Sequence, residues 1–508
     1  MFFFVSTLIS NMAILGVDEW AIGDFAADIL FTQSRRFQLL LTGHHSLHGV
    51  RHPGPFYMMV QVLGEKLLQD WTNSILMTHR LAVMACNAAF LGLFAALVHR
   101  YGREFGAPER TSFAAAIAAT AAISLFSSIL GNRTIISELF IPMVITLPLL
   151  TLLMGGILAL RGMVLGLLAA SFSLAVLVHA YIPMPLIAGP AWLIPAVLGH
   201  IGLKRRTGSG FSAGAWAGVA GIGVLFLTPI VLDAILNPPG NIVRILASSR
   251  AIPERESLRH TVTVLYRGVF YNIHWLVTGF LMVLTAGLAG VAWRWGFRRD
   301  ILAGAGLTAL IGMLAATFFL IAPAPTSSYM ASYLRIIVLF PVALVAAMSV
   351  LFFERRHRRW VVGGVVAILA AALITMGQLT IFPKTLYLRL AVLIADEVPP
   401  GSTVALDLAP RPSAEERSSP WPPAVIPGLM LSLDRLGINA CHPNPYFTYY
   451  FTRWRICPPT QEFPTYGIEV RLNCPADMET VPTENLKLGD FGRLLPTTCV
   501  RMIRVGPR

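Results

Sequence analysis

Charge is what this sequence has least of. Only 13% of its 508 residues are Asp, Glu, Lys or Arg, about half the share carried by soluble domains. With 55% hydrophobic residues as well, a single water-soluble globule is excluded, because the chain has too little polar surface to cover itself. Acidic residues are the scarcer sign, 26 against 39 basic, for a formal net charge of +13. That excess does not point to nucleic acid. Much of it sits in short clusters between apolar runs, such as Lys204-Arg205-Arg206 and Arg355-Arg356-His357-Arg358-Arg359, which is the pattern of cytoplasmic loops in membrane proteins rather than of a phosphate-backbone footprint. Cysteine is nearly absent before residue 441: Cys86 lies in an apolar run, and Cys441, Cys457, Cys474 and Cys499 crowd the tail. No CxxC pair supports a zinc site. Four cysteines in a polar tail suggest a disulfide framework in an oxidising compartment, with three connectivities open. There is no transporter-type internal repeat and no low-complexity tract.

Long apolar runs are what the chain does have. They lie at 1–17, 77–98, 111–130, 138–160, 162–180, 186–203, 212–236, 273–293, 301–321, 335–353 and 360–382, each near the roughly 17–25 residues that a helix needs to cross a bilayer. The first lacks a basic leader and a small-residue cleavage pattern, so it reads as a span, with a signal peptide as the competing reading. The expectation is a polytopic α-helical membrane protein with about 11 transmembrane helices. Basic segments at 99–110, 161, 204–206, 294–300 and 354–359 all fall on one face under this count, which makes that face cytoplasmic. An odd number of spans then puts the N-terminus inside and the tail outside. The chain divides into a transmembrane part, 1–382, with outer loops 18–76 and 237–272, and a C-terminal part, 383–508. The tail opens with an apolar segment, a Pro-Pro-Gly turn and alternating Val404, Leu406 and Leu408. That pattern predicts a small α/β domain serving as a lid or support.

The chemistry-bearing residues concentrate between Asp18 and Tyr57. Asp18, Glu19, Asp24 and Asp28 follow the first run. Asp24 and Asp28, four apart, share one face if the segment is helical, and the apolar residues among them suit an interfacial amphipathic helix. Simple solvation of that helix is the competing reading. His44, His45, His48 and His52 come next, interrupted by Gly43, Gly49 and Pro53, which break any regular helical ligand face. Hydrogen bonding to a phosphate or sugar hydroxyl, or shaping of the loop, suits them better than a metal. His52-Pro53-Gly54-Pro55 predicts a rigid turn that folds the loop back to the membrane, with a helix restarting near Pro55. His179-Ala180-Tyr181 closes the fifth run, where an ionisable group at membrane depth is either functional or satisfied by a neighbouring carbonyl or Tyr.

GDFA at 23–26, Gly43 and GVRHPGP at 49–55, together with TPIVLDAILNPPGNIVRIL at 228–246, resemble the GT-C glycosyltransferase superfamily, in particular bacterial proteins related to its family 39. The resemblance covers roughly residues 1–350, and the tail matches no named family. It implies a GT-C fold in a bacterial inner membrane and transfer of a sugar from a polyprenyl-phosphate donor to a glycan, lipid or protein acceptor at the periplasmic face. Asp24 matches the position of the family's catalytic acid and is taken as the general base. Asp18 and Glu19 are reserves, because the adjacent Asp-Glu pair of some relatives lies here six residues upstream of Asp24. Asp28 and Glu138 are further acidic candidates. A departing phosphate needs cations, for which Arg244, Arg335 and Arg51 are chosen. His44, His45, His52, Asn241 and Tyr181 are expected to line the substrate site. No residue is assigned to a metal, though a divalent cation stays open as a cofactor. The rival classes are a flippase for lipid-linked sugars, which calls for charges near mid-membrane and broken paired helices, and a non-catalytic membrane scaffold.

Overall fold

The computed structural model describes residues 39–46, 50–72, 75–130, 135–136, 141–251, 257–270, 296–322, 328–353, 385–408, 421–443, 455–458, 463–471, 480–481 and 498–505, with scattered positions between 279 and 294. The apolar runs at 1–17 and 360–382, and most of 273–293, lie outside these residues. The other eight expected runs are helices. After α1 (Phe56–Thr72) come α2 (Ile75–Glu104), α3 (Glu109–Ile129), α4 (Ile141–Leu160), α5 (Val164–Ala180), α6 (Met184–Thr207) and α7 (Ala213–Leu236). Two shorter helices, α8 (Asn241–Ala251) and α9 (Leu258–Phe270), precede α10 (Arg298–Ile321) and α11 (Met330–Phe353). Among the described residues, seven helices are long and apolar enough to cross a membrane, and α5 is a shorter apolar helix. It is short because the Arg161-Gly162 turn, with Gly162 at φ +86°, and the extended Tyr181 bracket it.

The centre of the bundle is α4, in which every residue from Thr146 to Ala159 is buried. Lipid supplies no hydrophobic drive between helices, so they associate by close backbone approach at small residues. Gly199 on α6 sits so near α4 that an added Cβ would lie 2.0 Å from the Ala159 carbonyl oxygen, and one on Gly166 of α5 would lie 2.4 Å from Leu158 Cβ. Outward, α6 and α7 expose Leu193, Leu198, Val224, Leu225 and Val231, the surface expected to face lipid tails.

The polar residues gather at two opposite ends. At one, Arg161 forks onto Asp300 with Nε–Oδ1 3.0 Å and Nη2–Oδ2 2.7 Å, while its guanidinium lies 4.3 Å from the Phe105 ring centroid. Arg206 Nη2 donates to the Arg161 carbonyl at 2.8 Å, and Phe105 packs on Phe297. Four of the five basic segments expected to share a face, at 99–110, 161, 204–206 and 294–300, thus meet here. The fifth, 354–359, lies outside the described residues.

Near the other end, α1 restarts directly after Pro55, whose carbonyl accepts from Met59 N at 2.8 Å. It then runs antiparallel along the first half of α2, with His79 bonded to Glu65 at 2.5 Å and Thr72 to Thr78 at 2.6 Å. The tail adds α12 (Thr385–Glu397), β1 (Thr403–Leu408), α13 (Trp421–Arg435), β2 (Asn439–Cys441), β3 (Thr465–Arg471), β4 (Thr480–Val481) and β5 (Thr498–Val505). Its sheet runs β2-β1-β3-β5-β4, parallel among the first three and antiparallel at β5. Val404 and Leu406 are fully buried, and Ala405 between them is buried too, because β1 is an inner strand of the sheet. Cys441 and Cys457 form a disulfide; Cys499 lies in β5, and Cys474 falls outside the described residues.

Candidate functional site

Residues 43–46 pair with residues 50–52 as the two arms of a small antiparallel hairpin. Gly43 N donates to His52 O at 3.0 Å, His52 N to His44 O at 2.7 Å and Ser46 N to Val50 O at 2.7 Å, and His45 opposes Arg51 in an antiparallel bridge. Leu40, Leu41, His44, His45 and His52 are all buried, whereas Arg51 is partly exposed. The Pro-Gly turn that follows is pressed onto the end of α5. Gly54 N donates to the His179 carbonyl at 3.1 Å, and a Cβ on Gly54 would lie 2.3 Å from His179 Cγ. Glycine is required there by space. Past the turn, Phe56 stacks on Phe226 at 5.8 Å and meets Phe172 edge-on. The ladder of α7 is interrupted at Pro229, which has no N–H to give, and close by the Phe226 carbonyl accepts from His179 Nε2 at 2.5 Å. A carbonyl can only accept, so that imidazole nitrogen carries the proton. His179 thus meets a neighbouring carbonyl through Nε2, while its Nδ1 is buried without a hydrogen-bond partner among the described residues.

The second sequence stretch meets the first at this point. Asn241, after Pro238-Pro239-Gly240, accepts from Arg51 N on Oδ1 at 3.1 Å and donates from Nδ2 to Arg51 O at 2.8 Å and to His52 O at 3.2 Å. Its own backbone N–H donates to Asp233 Oδ2 at 2.6 Å, and Asp233 Oδ1 accepts from Asn237 Nδ2 at 3.0 Å. Both Asp233 and Asn241 are buried. Asp233 was not singled out from sequence. Its signal is a carboxylate eight residues before Asn241 inside an otherwise apolar run, where an acid calls for a specific partner.

Tyr181 is buried, donates its hydroxyl to Met330 O at 3.0 Å and meets the His52 and Tyr333 rings edge-on at 5.3 and 5.8 Å. Arg335, only 2% exposed, closes the helical turn Ser328–Arg335 that carries Met330 and Tyr333. Arg244 lies one turn beyond Asn241 on α8 and is exposed. The structure therefore joins Arg51, His52, Tyr181 and Asn241 by direct contact, brings His44 and His45 in on the same hairpin, and links the Arg335 turn through Tyr181. Asp18, Glu19, Asp24, Asp28 and Glu138 lie outside the described residues. Among the described residues no three His, Cys, Asp or Glu side chains are grouped to hold a metal ion.

Chemically, a guanidinium and several imidazoles on a fixed hairpin, at the end of the bundle opposite the Arg161–Asp300 pair, are donors and cations suited to an anionic group. No family model and no curated protein matches the chain. A crystal structure of ArnT from Cupriavidus metallidurans bound to undecaprenyl phosphate is similar to it, with a TM-score of 0.54 and 13% sequence identity over 98% of this chain and 97% of that one. The likeness spans both the helical bundle and the tail. The protein is accordingly a multi-pass membrane protein with the GT-C fold and a small C-terminal sheet.

Proposed function

We propose that the protein is a membrane glycosyltransferase that takes a hexose or pentose from a polyprenyl-phosphate donor and passes it to an envelope acceptor, whether glycan, lipid or protein. The observation that carries this reading is the junction of the HPGP hairpin with the Pro-Pro-Gly-Asn segment beside Arg51, in a fold shared with a protein crystallised on undecaprenyl phosphate. Asp24 removes the proton from an acceptor hydroxyl, whose oxygen attacks the anomeric carbon. The bond from that carbon to the phosphate oxygen breaks, and the lipid phosphate leaves with both electrons. Arg51, with Arg335 and Arg244, holds that phosphate, because charge grows on its oxygens as the bond breaks. His44, His45, His52 and Tyr181 border the same place. Asp18, Glu19, Asp28 and Glu138 stand as further acidic groups, and a divalent cation remains open as an aid to the leaving group.

The site faces the periplasm from a bacterial inner membrane, with the N-terminus in the cytoplasm and the 383–508 domain outside. The opposite pole, rich in Arg161, Arg206 and Arg298, supports that orientation through the positive-inside rule, as does the disulfide in the tail. Replacing Asp24 by Asn is expected to lower transfer by about 10²–10⁴-fold, the usual share of a general base, without loss of folded protein. The readout is mass spectrometry of envelope glycans and glycolipids from cells carrying either form. Wild-type glycan profiles in the Asp24→Asn strain would remove Asp24 from the mechanism, and identical profiles with and without the protein would remove the function.

A further inference from the structure

We infer that Asn241, held by Asp233, is a positioning residue that aims Arg51 at the donor phosphate; this rests on the phosphate reading above. In an antiparallel pair, alternate residues turn their N–H and C=O away from the partner strand. Val50 and His52 bond across the hairpin, so the N–H and C=O of Arg51 between them point outward, an open edge. The Asn241 amide closes it, giving oxygen to the N–H and nitrogen to the C=O as a neighbouring strand would. The peptide groups on both sides of Arg51 are thereby fixed, one through its N–H and the other through its C=O, and Nδ2 also bonds the carbonyl of His52, one peptide further on. On the side chain, Arg51 Nη1 reaches the Gly43 carbonyl at 3.5 Å across the same hairpin. Pre-set geometry of this kind raises affinity by reducing what must be ordered on binding.

Asp233 makes the amide dependable. Asn241 opens α8, where a backbone N–H has no partner within the helix, and the Asp233 carboxylate takes that N–H while its other oxygen ties Asn237. Gly240, at φ +77°, lets the chain turn tightly between them, since a Cβ there would lie 2.7 Å from Ala234 Cα. The relay spans 190 residues of sequence in two side chains.

The test is a double-mutant cycle on the purified full-length protein in lipid nanodiscs, with undecaprenyl phosphate as the probe and its dissociation constant as the readout. Asn241→Ala is expected to weaken binding about tenfold, Arg51→Ala by at least as much, and the double variant no further than Arg51→Ala alone, because Asn241 acts through Arg51. Asn241→Asp, which can still accept from Arg51 N but not donate to either carbonyl, should fall between wild type and Asn241→Ala. Asp233→Asn, run through the same cycle, covers the case in which Asn241→Ala does not fold. Wild-type affinity in Asn241→Ala, or an equal loss from it in the Arg51→Ala background, overturns the inference while leaving the phosphate reading intact. Absence of binding by the wild-type protein overturns both.

Discussion

At the scale of single residues, this site is governed by contact distance and by where backbone groups find partners. Gly54 is the sharpest case, because the imidazole of His179 occupies the volume that any side chain there would need. Gly54→Ala is expected to push the turn off α5 at a cost of about 1–3 kcal/mol, the usual penalty for overpacking, and to lower transfer activity through the displaced hairpin. A melting midpoint and an activity assay on the same preparation check this; an unchanged value for both would show that the His179 ring yields freely. The chemistry of this residue was legible from its motif, since Pro-Gly-Pro announces a turn. The reason for glycine was not, because His179 lies 125 positions away in the chain. Asn241 is a similar case. The Pro-Pro-Gly-Asn run marks it, yet its partners are main-chain groups of Arg51 and His52, and a backbone partner leaves no signature in residue types.

At the scale of elements, the bundle is set by how closely helices approach α4. Gly199 and Gly202 stand one turn apart on α6 and make an internal comparison: a Cβ at the first would lie 2.0 Å from a backbone oxygen of α4, whereas nothing lies within 4 Å of one at the second. Gly199→Leu should therefore abolish recovery of monodisperse protein, and Gly202→Leu should be tolerated, as judged by yield and size-exclusion profile. Equal behaviour of the two variants would mean that α4 and α6 do not meet at Gly199. Apolar runs predicted where these helices are, to within a few residues at each end, because a span is a composition that any window can detect. The pairing of α1 with α2 through Glu65 and His79 has no such signature. Contacts between two helices depend on the turn joining them, and no fixed spacing announces them.

At the scale of the whole molecule, the Arg161–Asp300 cluster lies at one pole of the bundle and the hairpin junction at the other. The tail stands on its own sheet with a disulfide closing a loop of 16 residues, which chain-entropy arguments value at about 3 kcal/mol. Replacing Cys441 and Cys457 together by Ser should lower the tail's resistance to proteolysis, with fragments cut between 385 and 505 appearing at lower protease concentration than in wild type. Thiol labelling with and without reductant reports the compartment: labelling of Cys441 and Cys457 only after reduction is expected of a periplasmic tail, and labelling without it would place the tail on the reducing side.

The sequence by itself determined the solvent and the broad plan. Scarce charge and repeated apolar runs call for many helices in a bilayer. It also marked two loops as unusual, since Pro and Gly restrict or release the backbone whatever surrounds them. Only the tertiary structure decided that the two loops are one object. Asn241 closes the edge of the hairpin at Arg51, and Asp233 holds Asn241, through bonds to backbone atoms that every residue possesses. Their meeting follows from helix packing around α4, a three-dimensional arrangement that no local pattern of residues encodes.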